Sequence, residues 1–279
     1  MMRFFTKLNI VFGIQLAAVI CAVLGIVPRE IFLFSGALII FFVIFSDLEE
    51  CMYLTARSIP IFVALPITDT FDSLNIWRLV AIVLFLRVLF VAHARKTIID
   101  AYLRIRAKLR VSIGTAIAFA YRTWTMEFLL TALLFVSALS LFNADNLVIG
   151  VKRIIFFTNL WMLFFVVRAL VTRENLLILA FNVLLSGIVV VAVGVVLLLL
   201  AYSMFIDDFS NLWALQVNRV LYGDAWAHIA IAANTWFAYY GSTIHLRMFS
   251  SFPDSHSFPL YLLMTTTFIM TLFLLKRED

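Results

Sequence analysis

Charge is what this chain has least of. Asp, Glu, Lys and Arg together make up 13% of its 279 residues, about half the ~25% of an average soluble domain. That deficit excludes a water-soluble fold. Cysteine is nearly missing too: Cys21 and Cys51 both lie within or beside apolar runs, which excludes a disulfide framework. The apolar runs hold few acidic residues, Glu127 standing at the edge of one, so no midplane carboxylate is offered for proton coupling. No internal repeat, low-complexity linker or soluble domain is visible.

Two familiar site patterns are also missing. His228, His245 and His256 lie 17 and 11 residues apart, a spacing unlike any compact ligand set such as H-E-x-x-H, and no cysteine is near; no metal site is expected. Ser250, Ser251, Asp254, Ser255, His256 and Ser257 hold the residue types of a nucleophilic triad, but no G-x-S-x-G turn accompanies them.

What the chain does have is apolar length. Hydrophobic residues make up 65%, with 29 phenylalanines, and the mean hydropathy is +1.08. Continuous apolar runs rather than alternation point to helical spans of about 20 residues, because a helix satisfies its own backbone inside lipid. The expected fold is therefore an all-α integral membrane protein, a single polytopic domain over 1–279. Eight spans are expected, at roughly 8–27, 31–46, 51–67, 75–93, 126–143, 154–171, 176–204 and 258–275. The basic N-terminus and first apolar run read as a retained span, since the run is long and lacks a small-residue cleavage site.

Basic residues report orientation rather than a nucleic-acid surface. With both termini cytoplasmic, twelve Lys and Arg fall on the inner side and five (Arg29, Lys152, Arg153, Arg219 and Arg247) on the outer. The inner cluster is densest in 94–124, an amphipathic basic segment expected to lie on anionic lipid at the cytoplasmic face. The run from 176 to 206 exceeds the bilayer core and must tilt, protrude or break, with Asn182, Ser186 and Gly187 as the places for a kink or a close helix contact. The longest outer segment is 205–257, just before the last helix. Within it Trp213, Trp226, Trp236, Tyr239 and Tyr240 read as a headgroup belt. Part of it, 211–233, reads as a membrane-surface helix with Leu215, Tyr222, Trp226 and Ile229 inward.

Three arginines stand out. Arg247, followed by Pro253, Asp254 and His256, has the composition of an anion-binding loop, since guanidinium matches phosphate bidentately; an Arg247–Asp254 surface ion pair is the other reading. Arg57 lies in a span interrupted by Pro60 and Pro66, as readily broken or re-entrant as straight. Arg78 follows an outer loop holding Asp69 and Asp72, and either arginine also fits a structural role at a helix end.

Two stretches carry a family resemblance. "RSIPIFVALPITDTFDSLNIWR", 57–78, and "LRMFSSFPDSHSFPLYLL", 246–263, resemble the N-terminal part of the O-antigen ligase and O-antigen polymerase family. Arg247, Phe249, Phe252 and Pro253 hold the places of the second motif, with Asp254 or Ser255 where asparagine is common. The resemblance implies a glycosyltransferase of a bacterial inner membrane, working in lipopolysaccharide and cell-envelope biosynthesis. Its substrate would be an undecaprenyl-diphosphate-linked oligosaccharide, and it would need no cofactor. It implies Arg247 as a diphosphate ligand, with Arg57, Arg78, Asp254 and His256 as further binding residues. The catalytic histidine belongs to a later loop of the family, so the base is expected beyond Asp279 and not at His256; the chain is then a partial member, inactive alone or completed by another half. Two alternatives remain open: a transporter or flippase for lipid-linked glycans, suggested by Arg57 and the break near Pro60, and a non-catalytic protein that assembles other envelope-biosynthesis proteins.

Overall fold

A computed structural model describes residues 6–67, 74–91, 125–233 and 236–276. The basic segment 94–124, like Asp69 and Asp72, lies outside these residues. The chain divides into two units: residues 1–80 with 172–279, and residues 81–171.

In the first unit, α1 (Lys7–Val23) starts where the Thr6 hydroxyl accepts from Asn9 N at 3.3 Å. It ends in a Schellman turn, with Gly25 at φ 70° and Ile26 N donating to Cys21 O. Its buried residues Leu8, Val11, Gln15, Ala18 and Ala22 follow helical spacing. Antiparallel α2 (Ile31–Phe45) brings Gly36 against Leu65 and Ile76, where a side chain would crowd both. Then α3 (Leu48–Ser58) carries Glu49 and Glu50 in its first turn and Arg57 in its last, both matched to the helix dipole.

The expected span at 51–67 is broken. At 11 residues α3 is about 16 Å long, half a bilayer core. It gives way at Pro60 to a 3-10 turn, Ile59–Ile61, and then to extended chain. Irregular backbone at membrane depth is tolerated only under protein cover. Cover is present: residues Ile61 to Leu65 are all buried. Their backbone groups are met as well, Ala64 N by Leu221 O (2.8 Å), Leu65 N by Leu74 O (2.9 Å) and Val63 O by Ile76 N (3.2 Å).

The longest element, α7 (Leu176–Ser203), runs 28 residues, about 42 Å, with no break. Of the three options for this overlong run, a break is ruled out; Leu197 near its C-terminal end packs into the core of the segment that follows. Small and polar residues form its packing face, Asn182, Ser186, Gly187 and Gly194 among them. Gly187 meets Thr265 of the last helix, α11 (Ser257–Lys276), and the Ser186 and Tyr261 hydroxyls hydrogen-bond beside it.

Polar groups tie these elements together at the break. Arg57 is 8% exposed; its Nε donates to Asn182 Oδ1 at 2.9 Å, an Nη to Asn9 Oδ1, and the guanidinium lies over the Phe12 ring at 5.5 Å. One turn on, Gln15 Nε2 donates to Ile61 O and Ser58 Oγ donates to Gln15 Oε1 at 2.7 Å. The carbonyl of Ile61, the last residue of the 3-10 turn, is thus met by a side chain of α1.

α4 (Ile76–Phe90) begins in the first unit and passes into the second. There α5 (Thr125–Leu139) and α6 (Leu147–Leu170) form a helical hairpin, the Asn146 side chain capping α6 by accepting from Ile149 N at 3.1 Å. Glu127 in the first turn of α5 pairs with Arg168 in the last turn of α6 at 3.1 Å, and Trp161 Nε1 donates to Thr131 Oγ1 at 3.0 Å. Outward faces are almost wholly apolar, with Phe128, Phe135 and Phe142 more than half exposed.

Among the described residues four helices are long and apolar enough to cross a membrane: 126–143, Leu147–Leu170, Leu176–Ser203 and 257–274. The shorter α1 and α2 are apolar as well. The protein is a multi-pass helical membrane protein.

Removing one partner of a buried guanidinium leaves unmet donors at a cost of about 1–3 kcal/mol. Asn182→Ala is expected to destabilise the detergent-solubilised protein by about that amount. Unchanged thermal unfolding in the variant would show that Arg57 does not depend on Asn182.

Candidate functional site

Residues 204–233 and 236–256 form a small subdomain built on the C-terminal end of α7. It opens with α8 (Ile206–Asn211), continues as a π-helical stretch Leu212–Asn218 and a short α9 (Arg219–Tyr222), turns at Gly223 (φ 97°) and resumes as α10 (Asp224–Ala233). The surface helix expected over 211–233 is therefore broken at Gly223. Its protein-facing side is Trp213, Ala214, Asn218, Leu221, Ala227 and Ala230, while Leu215 and Ile229 stay exposed. A two-stranded hairpin follows, β1 (Phe237–Tyr240) and β2 (Thr243–Leu246), with Phe237 opposite Leu246 and Tyr240 opposite Thr243. Gly241 takes the left-handed turn position at φ 62°.

Aromatic rings make the core. Trp236 stacks on Phe249 at 4.9 Å, Trp213 meets Phe249 edge-on at 5.9 Å, and Phe209 stacks on Trp213 at 6.2 Å. Sequence placed Trp213 and Trp236 in a headgroup belt; at 4% and 2% exposure they are core instead. Tyr239 and Tyr240 are exposed.

The stretch from Arg247 to Ser257 is held almost atom by atom. Arg247 N donates to Trp236 O at 2.6 Å. Phe249 is fully buried. Ser250 sits at φ 53°, unusual for a residue with a side chain, and its hydroxyl donates to Val190 O of α7 at 2.5 Å. Gly194 leaves room for Met248. Tyr222 OH donates to Ser251 O at 2.5 Å, and burial, with the nearby Asp254 charge, pushes its pKa well above the ordinary phenol value.

Asp254 is occupied by the helix that follows. Its Oδ1 accepts from His256 N (2.8 Å) and Ser257 N (2.9 Å), and its Oδ2 from Ser257 Oγ (3.0 Å). These bonds cap α11 where its N–H groups have no helical partner. Arg247 and Asp254 form no ion pair. Among the triad-like residues, Ser250 and Ser257 are likewise bound to structure.

Arg247 is left exposed, its guanidinium without a hydrogen-bond or ion-pair partner among the described residues. Together with His256 it lines an open depression of about 390 Å³, floored by Met248, Ser255, Phe258 and Pro259 at the start of α11. Structure thus brings Arg247 and His256 to one place. Arg57 is elsewhere: Asn182, its partner, lies 12 residues along α7 from the Gly194 contact with Met248, about 18 Å. Arg78 is half-buried, stacked over Trp77 at 5.7 Å, with its Nε lacking a partner among the described residues. His228 pairs with Asp224 at 3.6 Å, while His245 contacts Thr243 at 3.2 Å and the Tyr240 ring. Among the described residues no group of three His, Cys, Asp or Glu is placed to hold a metal.

No protein family, curated protein or solved structure matches the chain.

The capping role of Asp254 separates two substitutions. Asp254→Ala is expected to cost about 0.5–2 kcal/mol, whereas Asp254→Asn, whose amide oxygen still accepts, stays within about 0.5 kcal/mol of the parent. Chemical denaturation in micelles reads both; equal losses would mean that the charge and not the cap matters.

Proposed function

We propose that the protein handles lipid-linked glycans at the outer face of a bacterial inner membrane, as an O-antigen ligase- or polymerase-like component in which Arg247 binds the diphosphate. The carrying observation is the exposed, partnerless Arg247 guanidinium in an open depression beside the first turn of α11. A free cation at the edge of an apolar helix suits an undecaprenyl diphosphate: the polyprenyl tail stays in lipid, and the fork meets phosphate oxygens. His256 adds a second nitrogen donor. Glycan transfer also needs a base for the acceptor hydroxyl, which the family resemblance assigns to another segment.

Arg57 is a structural residue in this reading, since Asn9, Asn182 and the Phe12 ring already occupy it. The transporter reading keeps the broken α3 crossing in its favour but has no free charge there.

Eight crossings with both termini cytoplasmic complete the proposal, the third crossing being α3 plus its extended continuation. Its support is that the end of the expected third span meets two segments expected outside: Arg29 Nη2 donates to Ala64 O at 3.5 Å, and Ala64 N to Leu221 O at 2.8 Å.

In nanodiscs, Arg247→Ala is expected to weaken binding of undecaprenyl diphosphate by about tenfold, the loss of a charge-assisted contact. Arg247→Lys should retain part of it. Equal affinity in all three proteins overturns the role of Arg247. For orientation, Asp145→Cys and Ser242→Cys should react with an impermeant maleimide in spheroplasts and Arg173→Cys only after permeabilisation; the reverse pattern inverts the topology.

A further inference from the structure

We infer that the cleft between α8, the end of α10 and the hairpin is a binding site for a neutral saccharide unit. The cleft holds about 400 Å³, within the ~300–1,000 Å³ of small-molecule pockets. Its walls differ in chemistry. On the helical wall, Asp207, Ser210 and Asn211 stand at i, i+3 and i+4, one face of α8. The opposite wall is Trp236, Phe237 and Tyr239. Strand alternation turns Phe237 and Tyr239 to the same side, and Ile244, directly opposite Tyr239, extends that surface.

A sugar ring needs both walls. Its hydroxyl edge asks for mixed donors and acceptors, and its C–H face asks for an apolar plane. The Asp207 carboxylate accepts, the Asn211 amide does both, and the Ser210 hydroxyl, donating to Ile206 O at 2.7 Å, keeps lone pairs to accept. Tyr239 is 60% exposed beside the cleft it lines. Trp236 is fixed from behind by Phe249, and its indole N–H has no acceptor among the described residues.

Other ligand classes fit less well. An acyl chain would strip water from Asp207, Ser210 and Asn211 and return no hydrogen bonds. An anion would face Asp207 with no cation among the described lining residues. A neutral polyol satisfies both walls.

The inference deepens the proposed function and rests on it for the sugar's carrier. The link is one backbone hydrogen bond: Trp236 lines the cleft, and its carbonyl accepts from the backbone N–H of Arg247, which lines the depression. A diphosphate at one and its sugar at the other would be neighbours across that residue pair.

The test is saturation-transfer NMR on the full chain in nanodiscs. The probes are neutral di- and trisaccharides of hexose, N-acetylhexosamine and 6-deoxyhexose, with glucosamine as an amine and a uronic acid as an anion. At least one neutral saccharide is expected to bind, and Tyr239→Ala and Asp207→Ala are each expected to weaken it by about tenfold. Tyr240→Ala, on the opposite face of the hairpin, should leave it unchanged. If either alanine variant fails to fold, Tyr239→Leu and Asp207→Asn replace them with the same expected losses. No neutral saccharide binding, binding indifferent to both residues, or a response to glucosamine alone overturns the site. Saccharide binding in a protein that does not bind undecaprenyl diphosphate would overturn the proposed function and leave this site standing.

Discussion

The buried guanidinium of Arg57 is the constraint on which the membrane part of the fold depends. A helix that stops at Pro60 among buried residues leaves backbone groups that only protein can satisfy. Arg57 sits at that stop, one residue before the last of α3, and reaches α1 through Asn9 and α7 through Asn182. Gln15 closes the same break by meeting the Ile61 carbonyl and the Ser58 hydroxyl. A cation, three amides and a hydroxyl therefore hold three helices in register around a discontinuity. An apolar residue in place of Gln15 would pack but could not satisfy the Ile61 carbonyl.

The second constraint is length. A helix of 28 residues overshoots a bilayer core by about 12 Å. Its surplus is not left bare: Leu197 is buried among Phe209, Trp213, Trp236 and Phe249. This end of the helix is the post on which the 204–256 subdomain is built. Further down the same helix, Gly194, Val190, Gly187 and Ser186 receive Met248, Ser250, Thr265 and Tyr261 in turn. Close approach at these small residues lets the chain descend beside α7 before it turns into α11.

This arrangement divides the polar residues of the Arg247–Phe258 stretch by task. Asp254, Ser250 and Ser257 make the path, leaving Arg247 and His256 at its surface. Trp236 stands between the two concavities of the subdomain, its ring in one and its carbonyl bonded to the residue that lines the other. An amphiphile with an anionic head and an attached sugar is the kind of molecule that such a pair of neighbouring sites accommodates.

Much of this was legible in the order of residues. Apolar runs located the helices at 7–23, 31–45, 76–90, 176–203 and 257–276 to within a few positions, because a span reports itself by local length and hydropathy. The exposed Arg247 and the importance of Asn182 and Gly187 were legible too, since charge and small residues in apolar surroundings are rare. Burial was not. Trp213 and Trp236 have the composition of interface anchors, and only the packing of Phe249 and Leu197 around them makes them core. Nor does any local pattern reveal that Arg57 finds its acceptor 125 positions away, or that Asp254 binds backbone N–H groups rather than Arg247. The sequence by itself determined that this chain is an apolar, helical membrane protein, because partition into lipid sums over neighbouring residues. Tertiary structure decided which polar groups are consumed and which stay free, because a hydrogen bond depends on what packing brings within 3 Å, and that is set by contacts distant in the chain.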